Sequence, residues 1–190
     1  VTVPESTYTG ARAFCPRPDL WHAHDIQATE VEVTELVGAM VRATQPEHVL
    51  ETGTYRGHTA QAIGRALAVN GHGRLYTIEH DKALAGDARR RCLGLPVIVV
   101  NGDTLSFCPA FPIDFAWFDS GDEIRGDEFR RFHRFMHERT VVGFHDAGPQ
   151  HRVFEQVEAL VAEGLLARPL LIHSPRGVCF ANVLGHGPDR

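Results

Sequence analysis

The sequence has no apolar run near the roughly 18 residues that a membrane helix needs. Its opening residues lack the basic and apolar regions of a secretory signal. No membrane partner is expected, and the expected location is cytoplasmic. Positive charge is not in surplus either. A formal net charge of −5 leaves no broad basic surface to neutralise phosphates, which argues against nucleic-acid partners. Two arginine clusters, one at Arg89, Arg90 and Arg91 and one at Arg130, Arg131 and Arg134, fall in helical patterns and read as solvated faces. The four cysteines (Cys15, Cys92, Cys108 and Cys179) show no C-x-x-C spacing. Neither a zinc ribbon nor a redox pair is indicated, and free thiols are expected. Internal repeats and dividing linkers are also lacking.

What is present fits one soluble domain. The chain has 190 residues, 43% hydrophobic and 23% charged, enough to bury a substantial core. Residues 1–28, with Pro4, Pro16, Pro18 and scattered Tyr8, Phe14 and Trp21, read as an N-terminal arm that is either a lid over a pocket or a tail packed on the surface. The H-x-H of His22 and His24 has no further ligands nearby. Residues 29–190 form the expected domain. Thr29 and Glu32 have the spacing of a capping box, opening a helix that ends before Gln45 and Pro46. Strands are then expected over 49–50, 75–78, 97–100, 113–118 and 140–144, separated by helical patterns. One of these helices turns Phe129, Phe132 and Phe135 or Met136 inward, and another takes Pro149 at its first position. Leu170–Ile172 and Val178–Val183 flank Ser174-Pro175-Arg176-Gly177 as a hairpin. The fold class is α/β: a doubly wound, mostly parallel seven-stranded sheet with helices on both faces and a C-terminal antiparallel hairpin.

One stretch organises this pattern, H-V-L-E-T-G-T-Y-R-G-H-T over His48–Thr59. It reads as a strand, a tight glycine loop and a helix start, a junction that opens toward a ligand at the carboxyl edge of a parallel sheet. Acids close the expected strands in series: Glu51, Glu79, Asp103 and Asp119, with Asp146 one step beyond the fifth. Gathered in one crevice they would repel one another unless a ligand offers hydroxyls, amines or a cation. A dinucleotide site wants G-x-G-x-x-G, and here Tyr55 takes the place of the second glycine while Glu51 adds negative charge beneath. G-K-[ST] for a nucleoside triphosphate is missing too. A ligand with a ribose, an adenine and an ammonium but no phosphate fits better, as in S-adenosylmethionine.

V-L-E-T-G-T-Y-R-G resembles the first signature of class I S-adenosylmethionine-dependent methyltransferases, acid-x-Gly-x-x-x-Gly. The resemblance continues through Y-T-I-E-H, N-G-D-T, I-D-F-A-W-F-D-S-G, V-V-G-F-H-D-A and S-P-R-G, over roughly residues 29–184. It is nearest to small-molecule O-methyltransferases of the catechol and natural-product tailoring kind. That resemblance implies that Gly53 and its neighbours Thr54, Tyr55 and Gly57 cup the methionine part, with Glu51 near its ammonium. Glu79 would accept from the ribose hydroxyls and His80 would lie against the adenine. Asp103, following Gly102, would accept from the exocyclic amine. Asp119 would face the methionine amine or the substrate. Some relatives hold a divalent cation at positions that correspond to Asp119, His145 and Asp146, and a cation such as Mg²⁺ is a second expected cofactor. A histidine among its ligands departs from the oxygen set Mg²⁺ prefers.

A second departure follows Asp119, where many relatives show an Asp-Gly-Asp-His type run. This chain reads Asp119-Ser120-Gly121-Asp122-Glu123 and offers no histidine until His133. Deprotonation of a substrate hydroxyl would then fall to a metal-lowered pKa, to Asp122, to His145 or to His151. The expected activity is transfer of the methyl of S-adenosylmethionine to a hydroxyl of a small molecule. Competing readings are an S-adenosylmethionine-binding protein without catalysis, acting as regulator or partner, and a nicotinamide-dependent oxidoreductase, which Tyr55 and Glu51 disfavour. Specificity is expected in residues 1–28, in 119–127 and after Asp146. The arm and hairpin would suit a homodimer.

Overall fold

The computed structural model describes residues 14–185. In chain order they form α1 (Val31–Thr44), β1 (His48–Thr52), α2 (His58–Asn70), β2 (Arg74–Glu79), α3 (Lys82–Arg91), β3 (Val97–Asn101), β4 (Ile113–Phe118), α4 (Arg125–His133), β5 (Met136–His145), α5 (Val153–Ala162), β6 (Leu170–Ile172) and β7 (Val178–Asn182), with short 3₁₀ turns at Pro18–Leu20 and Thr104–Ser106. The sheet has seven strands in the order β3-β2-β1-β4-β5-β7-β6. The first five run parallel, whereas β7 is antiparallel to both β5 and β6. This is the doubly wound sheet with a terminal hairpin that the alternation of elements implies.

Side chains of a strand alternate between faces, and β4 shows how the two cores arise. Phe115 and Trp117 pack with α1 and α2 through Val33, Val37, Val41, Ile63 and Leu67. Ala116 and Phe118 pack on the other face with Phe129 and Phe132 of α4 and Val157 and Leu160 of α5. The order in which strands are added reverses between β1 and β4, so the carboxyl ends of β1, β2 and β4 open on one crevice. Among the described residues no helix is long and apolar enough to cross a membrane.

Three local expectations are corrected. No capping box forms at the start of α1: its N-cap is Glu30 and carries no side-chain cap bond. The Thr29 hydroxyl instead donates to Asp119 Oδ2 (2.5 Å), and Glu32 pairs with His22 (2.6 Å). Met136 belongs to β5 and pairs with Ile113, ahead of a bulge in the β4–β5 register. Pro149 precedes α5, which starts four residues later at Val153.

Candidate functional site

The glycine loop leaves β1 by a backbone path that few residues accept. Gly53 sits at φ +78°, and a Cβ there would overlap the Asp119 carbonyl, so the β1 and β4 loops touch only because position 53 has no side chain. Tyr55, in the place of a second glycine, also adopts a left-handed conformation at φ +49°. Such a conformation costs a bulky residue on the order of 1 kcal/mol or more. Its amide donates to Glu79 Oε2 (2.8 Å) and its hydroxyl to Asp25 Oδ2 (3.1 Å), contacts that hold it there. Among the described residues the non-glycine positions with positive φ are Gln45, Tyr55 and Asp146. Gln45 caps a helix, whereas Tyr55 and Asp146 both face the cavity described next.

That cavity, about 660 Å³, lies at the carboxyl edge of the sheet. Of the residues the sequence points to, Gly53, Thr54, Tyr55, Glu79, His80, Gly102, Asp103, Asp119 and Asp146 all line it. Glu79 also accepts from the Asp81 amide (2.9 Å), and Asp103 caps the Thr104–Ser106 turn through the Leu105 amide (3.0 Å) and the Ser106 hydroxyl (2.9 Å). Both carboxylates are therefore fixed before any ligand arrives. The segment before α1 forms the opposite wall, contributing Ile26, Gln27, Ala28 and Thr29. It is tied down by Asp25 on Tyr55, by Thr29 on Asp119, and by a ring stack of His24 on His58 with centroids 3.8 Å apart. The part of the proposed arm before Phe14 lies outside the described residues.

Two residues assigned to the cofactor wall do not reach it. Gly57 does not line the cavity; it is the N-cap of α2 and packs against Ala88 of α3, where a Cβ would come within 2.9 Å of the Ala88 Cα. Glu51 lies within β1, 1% exposed, and is not a lining residue. Its Oε2 accepts from the Thr77 hydroxyl (2.5 Å), which also meets the Thr54 hydroxyl, while its Oε1 is buried without a hydrogen-bond partner. Burial, with the nearby charges of Asp119 and Glu79, pushes its carboxyl up to about 8. A ligand cation beside these three acids would relieve that field.

The other end of the crevice holds a dense ionic cluster. His145 is fully buried between two carboxylates, with Nε2 2.6 Å from Glu30 Oε2 and Nδ1 3.0 Å from Asp119 Oδ1. Burial opposes its charge, but the fields of Asp146, Asp119 and Glu30 together overcome this and carry its pKa up to about 10. The ring is thus an imidazolium donating from both nitrogens. Asp146 accepts from Arg125 (2.7 Å) and Arg176 (3.0 Å) at Oδ2, and its Oδ1 lies 2.6 Å from Arg176 Nε without hydrogen-bond geometry. Burial opposes its ionisation, yet His145, Arg125 and Arg176 hold Asp146 well below the usual carboxylate range. His145 therefore has neither exposure nor a free nitrogen with which to take a proton, which corrects its assignment as general base. His151 stands apart, 2.6 Å from Asp122 Oδ2 through Nδ1, with Nε2 3.5 Å from Asp146 Oδ1. It does not line the cavity itself; Asp122 does.

Arg125 and Arg176, which line the cavity, escape the sequence reading, and so do two acids that support it. Glu30 carries no signal in sequence, because its partner His145 lies 115 positions away. Glu128, fully buried on α4, accepts from Thr52, Thr104 and Ser120 and so joins β1 to two loops of the cavity wall. The only signal for it is an acid on the apolar face of α4, beside Phe129 and Phe132.

As a cation site, the triplet Asp119, His145 and Asp146 is compact, with one possible donor atom from each lying within 4.8 Å of the others. A second triplet, Asp122, Asp146 and His151, meets the same test. The first does not suit a divalent ion as it stands, because an imidazolium and two guanidinium groups already hold its oxygens.

A profile of the methyltransferase domain matches residues 50–147, just over half of the chain. No curated protein is a significant match. Among solved structures the chain is similar to the O-methyltransferase TomG from Streptomyces achromogenes, involved in tomaymycin synthesis and in complex with S-adenosylmethionine. That likeness has 22% identity, a TM-score of 0.70, and coverage of 97% of this chain and 93% of that one. An O-methyltransferase from Bacillus cereus in complex with S-adenosylhomocysteine gives 18% identity and a TM-score of 0.73, with 84% of each chain covered. A methyltransferase from Geobacter sulfurreducens gives 21%, 0.72, and coverage of 84% and 82%. At these identities the likenesses establish the fold. With the glycine loop, the acid-lined crevice and the profile match in agreement, the chain belongs to the methyltransferase domain family.

Proposed function

We propose that the protein transfers the methyl group of S-adenosylmethionine to a hydroxyl of a small molecule. The observation that carries this reading is the ordered row of fixed acids along one cavity wall, Glu79, Asp103 and Asp119, beside the Gly53 loop. A carboxylate at Glu79 suits a vicinal diol, and Asp103 suits an exocyclic amine. Asp119 suits an ammonium. Similar folds carry S-adenosylmethionine or its product in their solved complexes, and two of them are named O-methyltransferases, which supports oxygen as the acceptor.

Bound there, the cofactor supplies an electrophilic methyl on a sulfonium. The oxygen–carbon bond forms as the carbon–sulfur bond breaks, its electron pair goes to sulfur, and the hydroxyl proton must go to a base. The protein's part is placement and proton removal. Asp122 lines the cavity and is backed by His151, so in this reading the pair takes the proton, Asp122 by contact and His151 by orienting it. No divalent cation is required in this reading.

The test is incubation with deuteromethyl-labelled S-adenosylmethionine and a panel of hydroxyl compounds, with mass detection of labelled ethers. Wild type should yield a labelled ether, and Asp122→Asn should lose turnover while retaining cofactor binding. Methylation of amines instead, or full turnover by Asp122→Asn, would sink the assignment. The sequestration of His145 favours a second reading, binding without turnover; cofactor binding with no product across the panel would select it.

A further inference from the structure

We infer that the guanidinium groups of Arg125 and Arg176 take the place of the divalent cation, so that the acids at the ends of β4 and β5 form a closed organic ion cluster with no affinity for metal. The inference rests on the proposed reading only for where the acceptor sits.

Three buried or nearly buried carboxylates meet here: Glu30, Asp119 and Asp146. Two guanidinium groups and one imidazole ring face them. Arg125 Nη2 lies 2.7 Å from Asp146 Oδ2 and 3.5 Å from Asp119 Oδ1. Arg176 reaches Asp146 from the other side, with Nε 2.6 Å from Oδ1 and Nη2 3.0 Å from Oδ2. The His145 ring spans Glu30 and Asp119 with both nitrogens. Arg125 Nη2 also lies 3.3 Å from Asp122 Oδ1, so the two guanidinium groups already face Asp119, Asp122 and Asp146 before any ion enters.

A divalent ion would need oxygen ligands at about 2.0–2.6 Å, and a ligating histidine must offer a nitrogen lone pair. Here both sides of Asp146 are covered by guanidinium, and both nitrogens of His145 are already engaged by Glu30 and Asp119. A divalent ion would have to displace guanidinium groups already in contact with these carboxylates and to shed its own water in a largely buried site, with no new partner to offset that cost. Displacing Arg176 would also be unfavourable, because Arg176 Nη1 reaches toward the carbonyls of Gln27 and Ala28 (3.4 and 3.5 Å), and its backbone amide donates to Glu30 Oε1 (3.1 Å). The hairpin that presents Arg176 is thereby tied to the segment walling the cavity. A guanidinium is bound in place, whereas an ion exchanges with the medium.

The experiment is a titration of the purified, EDTA-stripped chain with Mn²⁺, read by loss of the free-ion electron paramagnetic resonance signal. It needs neither cofactor nor acceptor, so its outcome is independent of whether methyl transfer has been correctly assigned. Wild type is expected to bind no Mn²⁺ beyond the level of a denatured control. Arg176→Ala, and the polar Arg176→Gln should the first fail to fold, is expected to acquire one Mn²⁺ per chain, lost again when Asp146→Asn is added. Stoichiometric binding by wild type that Asp146→Asn abolishes would overturn the inference. So would the absence of any gain in a folded Arg176 variant, which would show that the guanidinium is not what excludes the ion.

Discussion

Glu51 gives the most quantitative test of the site's electrostatics. Its carboxyl is 1% exposed and pushed from an ordinary 4.5 up to about 8 by burial and by the charges of Asp119 and Glu79. In the unfolded chain it ionises near 4.5; in the folded chain it keeps its proton to about pH 8. Between these values the native state holds the extra proton, so stability falls as pH rises from about 4.5 to about 8 and is flat beyond. With local relaxation and water entry included, holding the carboxyl at about 8 is expected to contribute about 1–3 kcal/mol. Glu51→Gln removes the titration while keeping the Thr77 contact. Its stability relative to wild type should therefore improve between pH 5 and pH 8 by about 1–3 kcal/mol, or about 3–10 °C in melting temperature for a chain of this size. His145 contributes a slope of the same sign between its ordinary 6.5 and about 10, but that slope is common to both proteins and cancels in the difference. Urea denaturation of the two proteins at half-unit pH intervals gives the comparison. Parallel profiles from pH 5 to 8 would refute the reasoning.

Other perturbations probe separate parts of the site. Glu30→Gln leaves the His145 imidazolium without one of its two carboxylates, and breaking a buried pair of this kind costs about 3–5 kcal/mol; an unchanged urea midpoint would contradict the pairing. Gly53→Ala places a Cβ on the Asp119 carbonyl at a backbone angle L-residues avoid, and should abolish S-adenosylhomocysteine binding by calorimetry. Retention of wild-type affinity would remove the loop from the binding site.

The sheet is legible because the first five strands carry short apolar runs, each with an acid at or within two residues of its end, and the order of such runs with helices between leaves few topologies. The identity of the crevice residues followed from the same rule, since a residue just past a parallel strand must face its carboxyl edge. Glu51 shows where the rule fails. It sits one residue inside β1, a central strand covered on both faces, where Val49, Leu50, Glu51 and Thr52 are all buried and no polar alternation marks the ligand side. Thr29 reads in sequence as helix-start chemistry with Glu32 and Glu30 carries no signal, whereas Thr29 bonds Asp119 and Glu30 pairs with His145, residues far along the chain. The ion cluster escaped for a related reason. Arg176 is an ordinary turn residue in sequence, and only the antiparallel pairing of β7 with β5 brings it beside Asp146.

The central claim is that the acid-lined crevice binds S-adenosylmethionine. Calorimetric titration of the wild-type chain with S-adenosylmethionine, S-adenosylhomocysteine and NADH, repeated with Glu79→Ala, tests it most directly. The account predicts one adenosyl ligand bound per chain, a large loss of affinity in Glu79→Ala, and no heat from NADH. Binding of NADH, or adenosyl ligand affinity that Glu79→Ala leaves unchanged, would contradict it.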